Sequence, residues 1–185
     1  MKQILFINAC VRPESRTKRL AQAVLETKAG TITQINLEKE NIMPLNNLHL
    51  QVREEAIKSG DFSSPDFRYA KQFAEADELV IAAPYWDLSF PATLKIYLEA
   101  VAVNNITFCY TNKGVPKGLC KCAKLTYVTT AGGTIGDNDF GFLYVKALFQ
   151  NMFSINEVVS IKAENLDILG SDPEEILKNA QKTII

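Results

Sequence analysis

Four cations surround a predicted helix start near the beginning of the chain. The stretch FINACVRPESRTKRLAQAV, residues 6 to 24, runs from an apolar segment through a polar bend into a pattern typical of an amphipathic helix. The bend carries these charged and hydroxyl residues: Arg12, Ser15, Arg16, Thr17, Lys18 and Arg19. The positive end of a helix dipole disfavours cations by up to about 1 kcal/mol each. A phosphate dianion, held by backbone N–H groups and the two hydroxyls, would offset that cost.

An ordinary helix start is the alternative interpretation of this stretch. Serine is a preferred N-cap residue in any helix, so Ser15 can cap the helix while the arginines are simply hydrated. Lys18 and Arg19 fall inside the predicted helix and need not contact a ligand. The stretch has neither the G-x-G-x-x-G fingerprint of dinucleotide-binding domains nor the glycine-and-lysine loop of NTPases, which disfavours both of those classes.

Two further segments have compositions that suit ligand binding. In APYWDLSFPATLK, residues 83 to 95, Tyr85 and Trp86 follow an apolar run and offer a packing surface to a flat aromatic ligand. Core packing explains such aromatic residues equally well. In TTAGG, residues 129 to 133, paired glycines let the backbone approach a ligand closely and direct N–H groups at it, or they form a simple turn.

Composition and charge limit the class of protein. The chain has 185 residues, 47% hydrophobic and 22% charged, which predicts one soluble globular domain over residues 1–185. The net charge of −1 gives no reason to expect nucleic acid or a membrane surface as a partner. No apolar run approaches the roughly 18 residues of a membrane span, and the first residues lack the features of a signal peptide. We therefore expect a cytoplasmic protein.

Cysteine and histidine usage argues against metal and triad chemistry. The four cysteines are Cys10, Cys109, Cys120 and Cys122. Their spacing does not match a zinc or redox motif, and free thiols suit a reducing compartment, so no metal site is predicted. His49 is the only histidine and has no triad partner in view. Any chemistry is therefore expected to depend on a cofactor.

Apolar runs alternate with helix-period segments along nearly the whole chain, a pattern typical of a parallel sheet covered by helices on both faces. Strands are predicted at residues 4–8, 31–36, 78–84, 123–133 and 156–165, and a hairpin-like excursion at residues 105–121. The predicted fold is a flavodoxin-like doubly wound α/β three-layer sandwich, with a five-stranded parallel sheet in the order 2-1-3-4-5.

The predicted topology brings three loops together. In such sheets ligands bind beyond the carboxyl ends of the strands, beside the point where the strand order reverses. Residues 9–17, 84–90 and 131–139 should therefore converge, because each follows a central strand.

The predicted helix at residues 91–103 has apolar residues on more than one face. Pro91 would open this helix, with Ser89 as a candidate cap. One face carries Leu94, Leu98 and Val101, and a second carries Ile96, Tyr97 and Val103. A helix that is apolar on two faces needs a second partner, which predicts that it lines a homodimer interface.

These segments resemble those of a known family, the FMN-dependent NADH azoreductases and NAD(P)H:quinone oxidoreductases of the flavodoxin-like superfamily. The resemblance extends through most of the chain. It is carried by INACVRPESRTKRLA, APYWDLSFPATLKIYLEAV, TFCYTNKGVPKGL and TTAGG, of which the second is the most specific.

The resemblance implies an FMN site. At the FMN phosphate it places Cys10, Ser15, Arg16 and Thr17. Along the isoalloxazine ring it places Pro84, Tyr85, Trp86, Asp87 and Leu88. On the other side of the ring it places Thr130, Ala131, Gly132 and Gly133. Two positions depart from the family pattern: Cys10 replaces a common serine, and Asp87 replaces the asparagine common in azoreductases.

The resemblance also implies an activity and an assembly. Family members are typically homodimers with active sites near the subunit interface, and they use a ping-pong mechanism. Hydride would pass from NADH or NADPH to FMN, and then to a quinone or to related azo or nitro acceptors, with no side chain as nucleophile. The residues do not choose between the two nicotinamides. Two alternatives remain open: a flavodoxin-like electron carrier, and a non-catalytic α/β binding domain.

Overall fold

The apolar runs form the central strands of a parallel sheet in the computed structural model, which describes residues 1–184. The sheet contains β1 (Gln3–Asn8), β2 (Thr31–Asn36), β3 (Glu78–Ala82), β6 (Lys124–Thr130) and β7 (Glu157–Ala163). Its order is β2-β1-β3-β6-β7, with every neighbouring pair parallel. When only the five strands of this sheet are numbered, the order becomes 2-1-3-4-5, as predicted. The predicted excursion is a separate antiparallel hairpin of β4 (Phe108–Tyr110) and β5 (Pro116–Gly118).

Residues 1–184 contain six α-helices, of which five lie between strands and the sixth follows the last strand. They are α1 (Arg16–Glu26), α2 (Asn47–Ser59), α3 (Arg68–Glu75), α4 (Ala92–Val101), α5 (Phe140–Asn151) and α6 (Pro173–Gln181). A single 3-10 turn, Pro65–Phe67, precedes α3. Side chains of Ser15, Asn46 and Asp172 cap α1, α2 and α6 by accepting backbone N–H groups, as short polar side chains at these positions do. Within residues 1–184, no helix has the length and apolar character needed to cross a bilayer.

Helices cover both faces of the sheet, which makes the three layers that the sequence predicts. Side chains alternate along β1: Ile4 and Phe6 pack with α1 and α6, whereas Leu5 and Ile7 pack with α3, α4 and α5. All four are at most 2% exposed. Because the connections from β1 and β3 leave on opposite faces, a crevice opens beyond the carboxyl ends of these two strands.

The structure corrects one expectation about α4, the cap, and leaves the predicted subunit interface a prediction. Pro91 occupies the N-cap position without a side-chain cap, so Ser89 does not cap this helix. The second apolar face has its partner inside the chain: the Tyr97 ring packs edge-on against Tyr69 of α3, with centroids 5.9 Å apart, and Val103 lies in a cluster with Phe67. The apolar pattern of this helix is therefore explained without a second subunit.

Glu78 begins β3 at the sheet edge opposite the crevice. Its carboxylate lies 2.5 Å from Lys28 Nζ and 3.3 Å from Lys2 Nζ, and its side chain is 6% exposed. Burial raises the pKa of this carboxyl group, but hydrogen bonds and charges from Lys28 and Lys2 outweigh burial and hold the pKa below its ordinary value. A depressed pKa means that folding favours the ionised form, so the ion pair stabilises the fold above that pKa.

The variant Glu78→Gln should therefore lower the free energy of unfolding by about 2 kcal/mol near neutral pH, because Lys28 loses its charged partner. The advantage of the wild-type chain should shrink as pH falls through the depressed pKa of Glu78, since the carboxylate is then protonated in the folded state as well. Urea unfolding of both chains at about pH 7 and about pH 3 measures the difference. An equal difference at both pH values would contradict this account.

Candidate functional site

The three predicted loops meet at a cavity of about 210 Å³ beyond the carboxyl ends of β1, β3 and β6. The convergence predicted from the topology is thus confirmed. A fourth segment, the loop after β7, completes the wall. The cavity is lined by Val11, Arg12, Glu14, Ser15, Arg16, Thr17, Pro84, Tyr85, Trp86, Thr130, Ala131, Gly132, Leu166 and Asp167.

The first turn of α1 supplies hydrogen-bond donors to this cavity. Ser15 Oγ accepts the Lys18 N–H at 3.2 Å, so Ser15 caps α1 as predicted. The N–H groups of Arg16 and Thr17 have no acceptor among residues 1–184, as expected for the first turn of a helix. The cap and an anion site are therefore compatible at the same helix start.

A pair of threonines joins the first loop to β6. Thr17 Oγ1 lies 2.6 Å from Thr130 Oγ1, and both side chains are buried. One hydroxyl hydrogen is donated within the pair, which leaves the other for a ligand. The contact fixes the start of α1 against the end of the neighbouring strand, and so sets the width of the cavity.

The four cations of the first loop are distributed between two environments. Arg12 and Arg16 line the cavity. Arg19 instead forms a two-pronged ion pair with Glu174 of α6, at 2.9 and 2.6 Å, and Lys18 is exposed. The unfavourable cluster at the helix start is thereby reduced, because Arg19 has its own carboxylate partner outside the cavity.

Arg16 contacts residues that sequence reasoning missed. Its guanidinium donates to the Leu166 carbonyl at 3.1 Å and pairs with Asp167 Oδ1 at 2.7 Å. Both partners follow β7 at the same edge of the sheet as the predicted loops. Ligand sites in parallel sheets lie beyond the carboxyl ends of the strands, and this rule applies to the loop after β7 as well. The acidic residue Asp167 in that loop was the sequence signal that could have identified it.

Cys10 is oriented differently from the other predicted phosphate contacts. Its side chain belongs to the core cluster beneath α1, with Sγ 3.8 Å from the Ala82 carbonyl oxygen, and its N–H donates to Asn8 Oδ1. Burial raises the pKa of this thiol, although a hydrogen bond with Ser15 opposes the shift. The structure thus places Cys10 behind the cavity wall, in the role of a small core residue.

Tyr85 and Trp86 form the wall that follows β3. The Tyr85 N–H donates to the Thr130 carbonyl at 3.0 Å, and its hydroxyl donates to the Asn138 carbonyl at 2.9 Å. These bonds tie the second loop to the third. Trp86 is 37% exposed, so its ring has a free surface at the mouth of the cavity.

A tight two-residue turn follows Trp86. Backbone hydrogen bonds in both directions join Trp86 and Ser89, at 3.1 and 2.7 Å. The intervening residues, Asp87 and Leu88, have φ angles of +50° and +64°, a conformation that costs most residues about 1–2 kcal/mol each. Their exposed side chains do not line the cavity. A turn with this geometry ordinarily carries asparagine and glycine.

Two glycines, Gly132 and Gly133, form the third wall, and the space beside each of them differs. A Cβ atom at Gly132 would lie 2.3 Å from Asp167 Oδ2, whereas Gly133 faces open space. The carbonyl oxygens of both glycines accept hydrogen bonds from the loop after β7, at 2.8 and 3.1 Å. Their N–H groups have no acceptor among residues 1–184. The Asp167 carboxylate therefore lies against the Gly132 backbone, and both glycines present N–H groups without an acceptor among residues 1–184.

A second cavity, also of about 210 Å³, lies between α2 and the start of α3. His49, Arg53 and Tyr69 are in its wall. Arg53 is already engaged, since it donates to three carbonyl oxygens at the carboxyl end of α4 at 3.0 to 3.3 Å. This cavity lies away from the crevice, so the only histidine is remote from the candidate site.

Fold and cavity together define a class: a doubly wound α/β protein with unpaired N–H groups at a helix start and an aromatic wall at the point where its strand order reverses. The sequence model of the flavodoxin-like fold family matches residues 2–185. The chain belongs to that family.

Named relatives make the family relation more specific. An FMN-dependent NADH:quinone oxidoreductase 2 from Clostridium acetobutylicum is 37% identical, over 97% of this chain and 94% of that protein. An FMN-dependent NADH:quinone oxidoreductase from Lachnoclostridium phytofermentans is 34% identical, over 98% and 96%. The resemblance predicted from the sequence is thereby confirmed.

Solved structures show the same fold. An azoreductase from Bacillus anthracis superposes with a TM-score of 0.87, at 24% identity, over 98% of this chain and 96% of that chain. A second Bacillus anthracis structure, an FMN-dependent NADH-azoreductase in complex with FMN, gives a TM-score of 0.80 at 24% identity, over 100% and 96%.

The turn after Trp86 yields a stability prediction. Leu88→Gly should leave the protein as stable as the wild-type chain or more stable by about 1 kcal/mol, because glycine adopts the positive φ of this position without strain. Thermal unfolding of the two apo-proteins measures the difference. Ser89→Gly, a change at an adjacent position outside the positive-φ pair, serves as the matched control and should not stabilise. A clear loss of stability in Leu88→Gly would show that the Leu88 side chain outweighs the strain.

Proposed function

We propose that the cavity at the carboxyl edge holds FMN and that the protein is an FMN-dependent NADH:quinone oxidoreductase. One observation carries the proposal: the same cavity joins the free N–H groups of the first α1 turn to the aromatic wall of Tyr85 and Trp86. The names of the relatives support the activity.

The donors around the cavity fit a phosphate. Backbone N–H groups of Arg16 and Thr17, the Ser15 hydroxyl and the Arg12 side chain are available at the helix start. The helix dipole adds an attraction for negative charge. A flavin phosphate at this position is expected to direct the rest of the molecule towards the wall after β3, since that is where the cavity continues.

The wall residues would position the ring. The exposed surface of Trp86 and the tethered Tyr85 offer apolar packing, and the tight turn at Asp87 and Leu88 presents backbone groups at the mouth. The free N–H groups of Gly132 and Gly133 are the proposed donors to the ring edge that gathers negative charge on reduction.

Bound FMN supplies the two-electron chemistry. The protein binds and orients, and no side chain of the cavity is required as a nucleophile, consistent with the distance of His49 from this site. We propose that NADH and a quinone occupy the same mouth beside Trp86 in turn, which is a ping-pong order. Azo compounds are the second proposed acceptor class, supported by the azoreductase names of the structural neighbours.

Absorbance near the flavin band tests the proposed function. Protein loaded with FMN should bleach on anaerobic addition of NADH and recover its colour on addition of menadione. Protein that retains FMN but does not turn over NADH and menadione would favour the electron-carrier alternative, and failure to retain FMN after gel filtration would favour the non-catalytic binding domain. Failure of the loaded protein to bleach with NADH or NADPH would contradict the oxidoreductase proposal.

A matched pair of variants tests the location of the site in the same assay. Ser15→Ala combined with Thr17→Ala removes two hydroxyls of the cavity and should weaken FMN binding by about tenfold or more, equivalent to one or two hydrogen bonds to a charged group. Asn46→Ala removes an equivalent helix cap from α2, far from the cavity, and should leave FMN affinity unchanged. Equal affinities in both variants would place the flavin elsewhere.

We also propose that two copies of the chain associate over the mouth of the cavity. Large apolar side chains are exposed there and on the adjoining helix: Trp86, Phe140, Leu143 and Tyr144. Exposed apolar groups in such number favour a partner surface.

Size-exclusion chromatography with light scattering tests this assembly. Micromolar protein should have twice the 20.6 kDa mass of one chain. Leu143→Lys, on the exposed face of α5, should shift the population to monomers, whereas the control Lys146→Leu should not. A monomeric wild-type chain at this concentration would contradict the proposal.

A further inference from the structure

The charges around the cavity cancel, which is unexpected for a site that binds a dianion. Four ionisable side chains of the first loop and the loop after β7 line it: Arg12 and Arg16 are positive, and Glu14 and Asp167 are negative. Arg16 is the cation with fixed partners, because it contacts Leu166 and Asp167. A phosphate that enters this cavity therefore contacts Arg16, whose guanidinium is already paired with the Asp167 carboxylate.

Asp167 is held in place by the backbone. Its N–H donates to the Gly132 carbonyl at 2.8 Å, and the neighbouring Leu166 N–H donates to the Ala131 carbonyl at 3.2 Å. Its carboxylate occupies the space that a Cβ atom at Gly132 would fill. Backbone hydrogen bonds between two loops therefore help to place this carboxylate beside Arg16, in addition to the ion pair.

We propose that Asp167 competes with the flavin phosphate for Arg16 and thereby determines how strongly the site prefers FMN over riboflavin. This inference rests on the proposed function. Carboxylate and phosphate oxygens accept the same guanidinium N–H groups, so Arg16 cannot give its full set to both.

The ion pair between Asp167 and Arg16 is weak enough for the flavin phosphate to displace the carboxylate. The side chains of Asp167 and Arg16 are 63% and 29% exposed, so water can solvate the carboxylate when the phosphate takes its partner. Exposed pairs of this kind contribute little to stability. Asp167 therefore lowers FMN affinity by a modest factor and leaves riboflavin, which has no phosphate, nearly unaffected.

A second ion pair on the same helix provides a matched control. Arg19 and Glu174 join α1 to α6 through an exposed arginine and carboxylate, but neither lines the cavity. Glu174→Gln removes the same charge as Asp167→Asn from a similar pair. A general electrostatic effect would appear in both variants, whereas competition for Arg16 appears only in Asp167→Asn.

Titration of the apo-proteins with FMN and with riboflavin, followed by flavin fluorescence, tests the inference. Asp167→Asn should bind FMN about three- to fivefold more tightly than the wild-type chain, within the strength of an exposed ion pair. Its riboflavin affinity, and both affinities of Glu174→Gln, should stay within about twofold of wild type. In an Arg16→Gln background, Asp167→Asn should change FMN affinity by less than about twofold.

Three outcomes would overturn the inference. They are unchanged or weaker FMN binding in Asp167→Asn, an equal gain for riboflavin, and persistence of the FMN gain in the Arg16→Gln background. These outcomes leave the proposed function intact as long as the wild-type chain binds FMN. A wild-type chain that binds neither flavin would overturn the proposed function, and this inference with it.

Discussion

The unpaired N–H groups at the first turn of α1 are the constraint on which the candidate site depends. A helix start must satisfy these donors with side chains, water or a ligand. Here Ser15 accepts one N–H, that of Lys18, while those of Arg16 and Thr17, two residues that line the cavity, have no acceptor among residues 1–184. Because the sheet is parallel, the same edge also receives the loops after β3, β6 and β7. The threonine pair and the Arg16 contacts then hold these loops around the free donors.

Local sequence patterns predicted the framework of the site. Continuous apolar runs predicted the central strands because such strands are buried on both faces, and a short polar residue before a helical pattern predicted the cap at Ser15. Loops that follow the central strands of a parallel sheet meet beyond the carboxyl ends of those strands, and this rule predicted that three loops converge. These predictions succeeded because each depends on neighbouring residues or on the order of elements.

Contacts between residues far apart in the sequence could not be predicted from local patterns. The partner of Arg16 lies 151 positions away, and the ring that covers Tyr97 belongs to a different helix, so neither is visible as periodicity. For the same reason the apolar second face of α4 was interpreted as a subunit interface. Cys10 was placed by resemblance at the phosphate, but the rotation of its side chain into the core depends on packing against Ala82.

Backbone amide chemical shifts during FMN titration test the central claim most directly, because the structure offers two cavities of similar volume. The account predicts large shifts for the amides of the non-proline residues in 12–17, 84–88 and 130–133, with those of Arg16, Thr17, Gly132 and Gly133 included. Amides of residues 41–53 and 65–69, around the second cavity, should remain unchanged. Shifts confined to the second cavity would contradict the account.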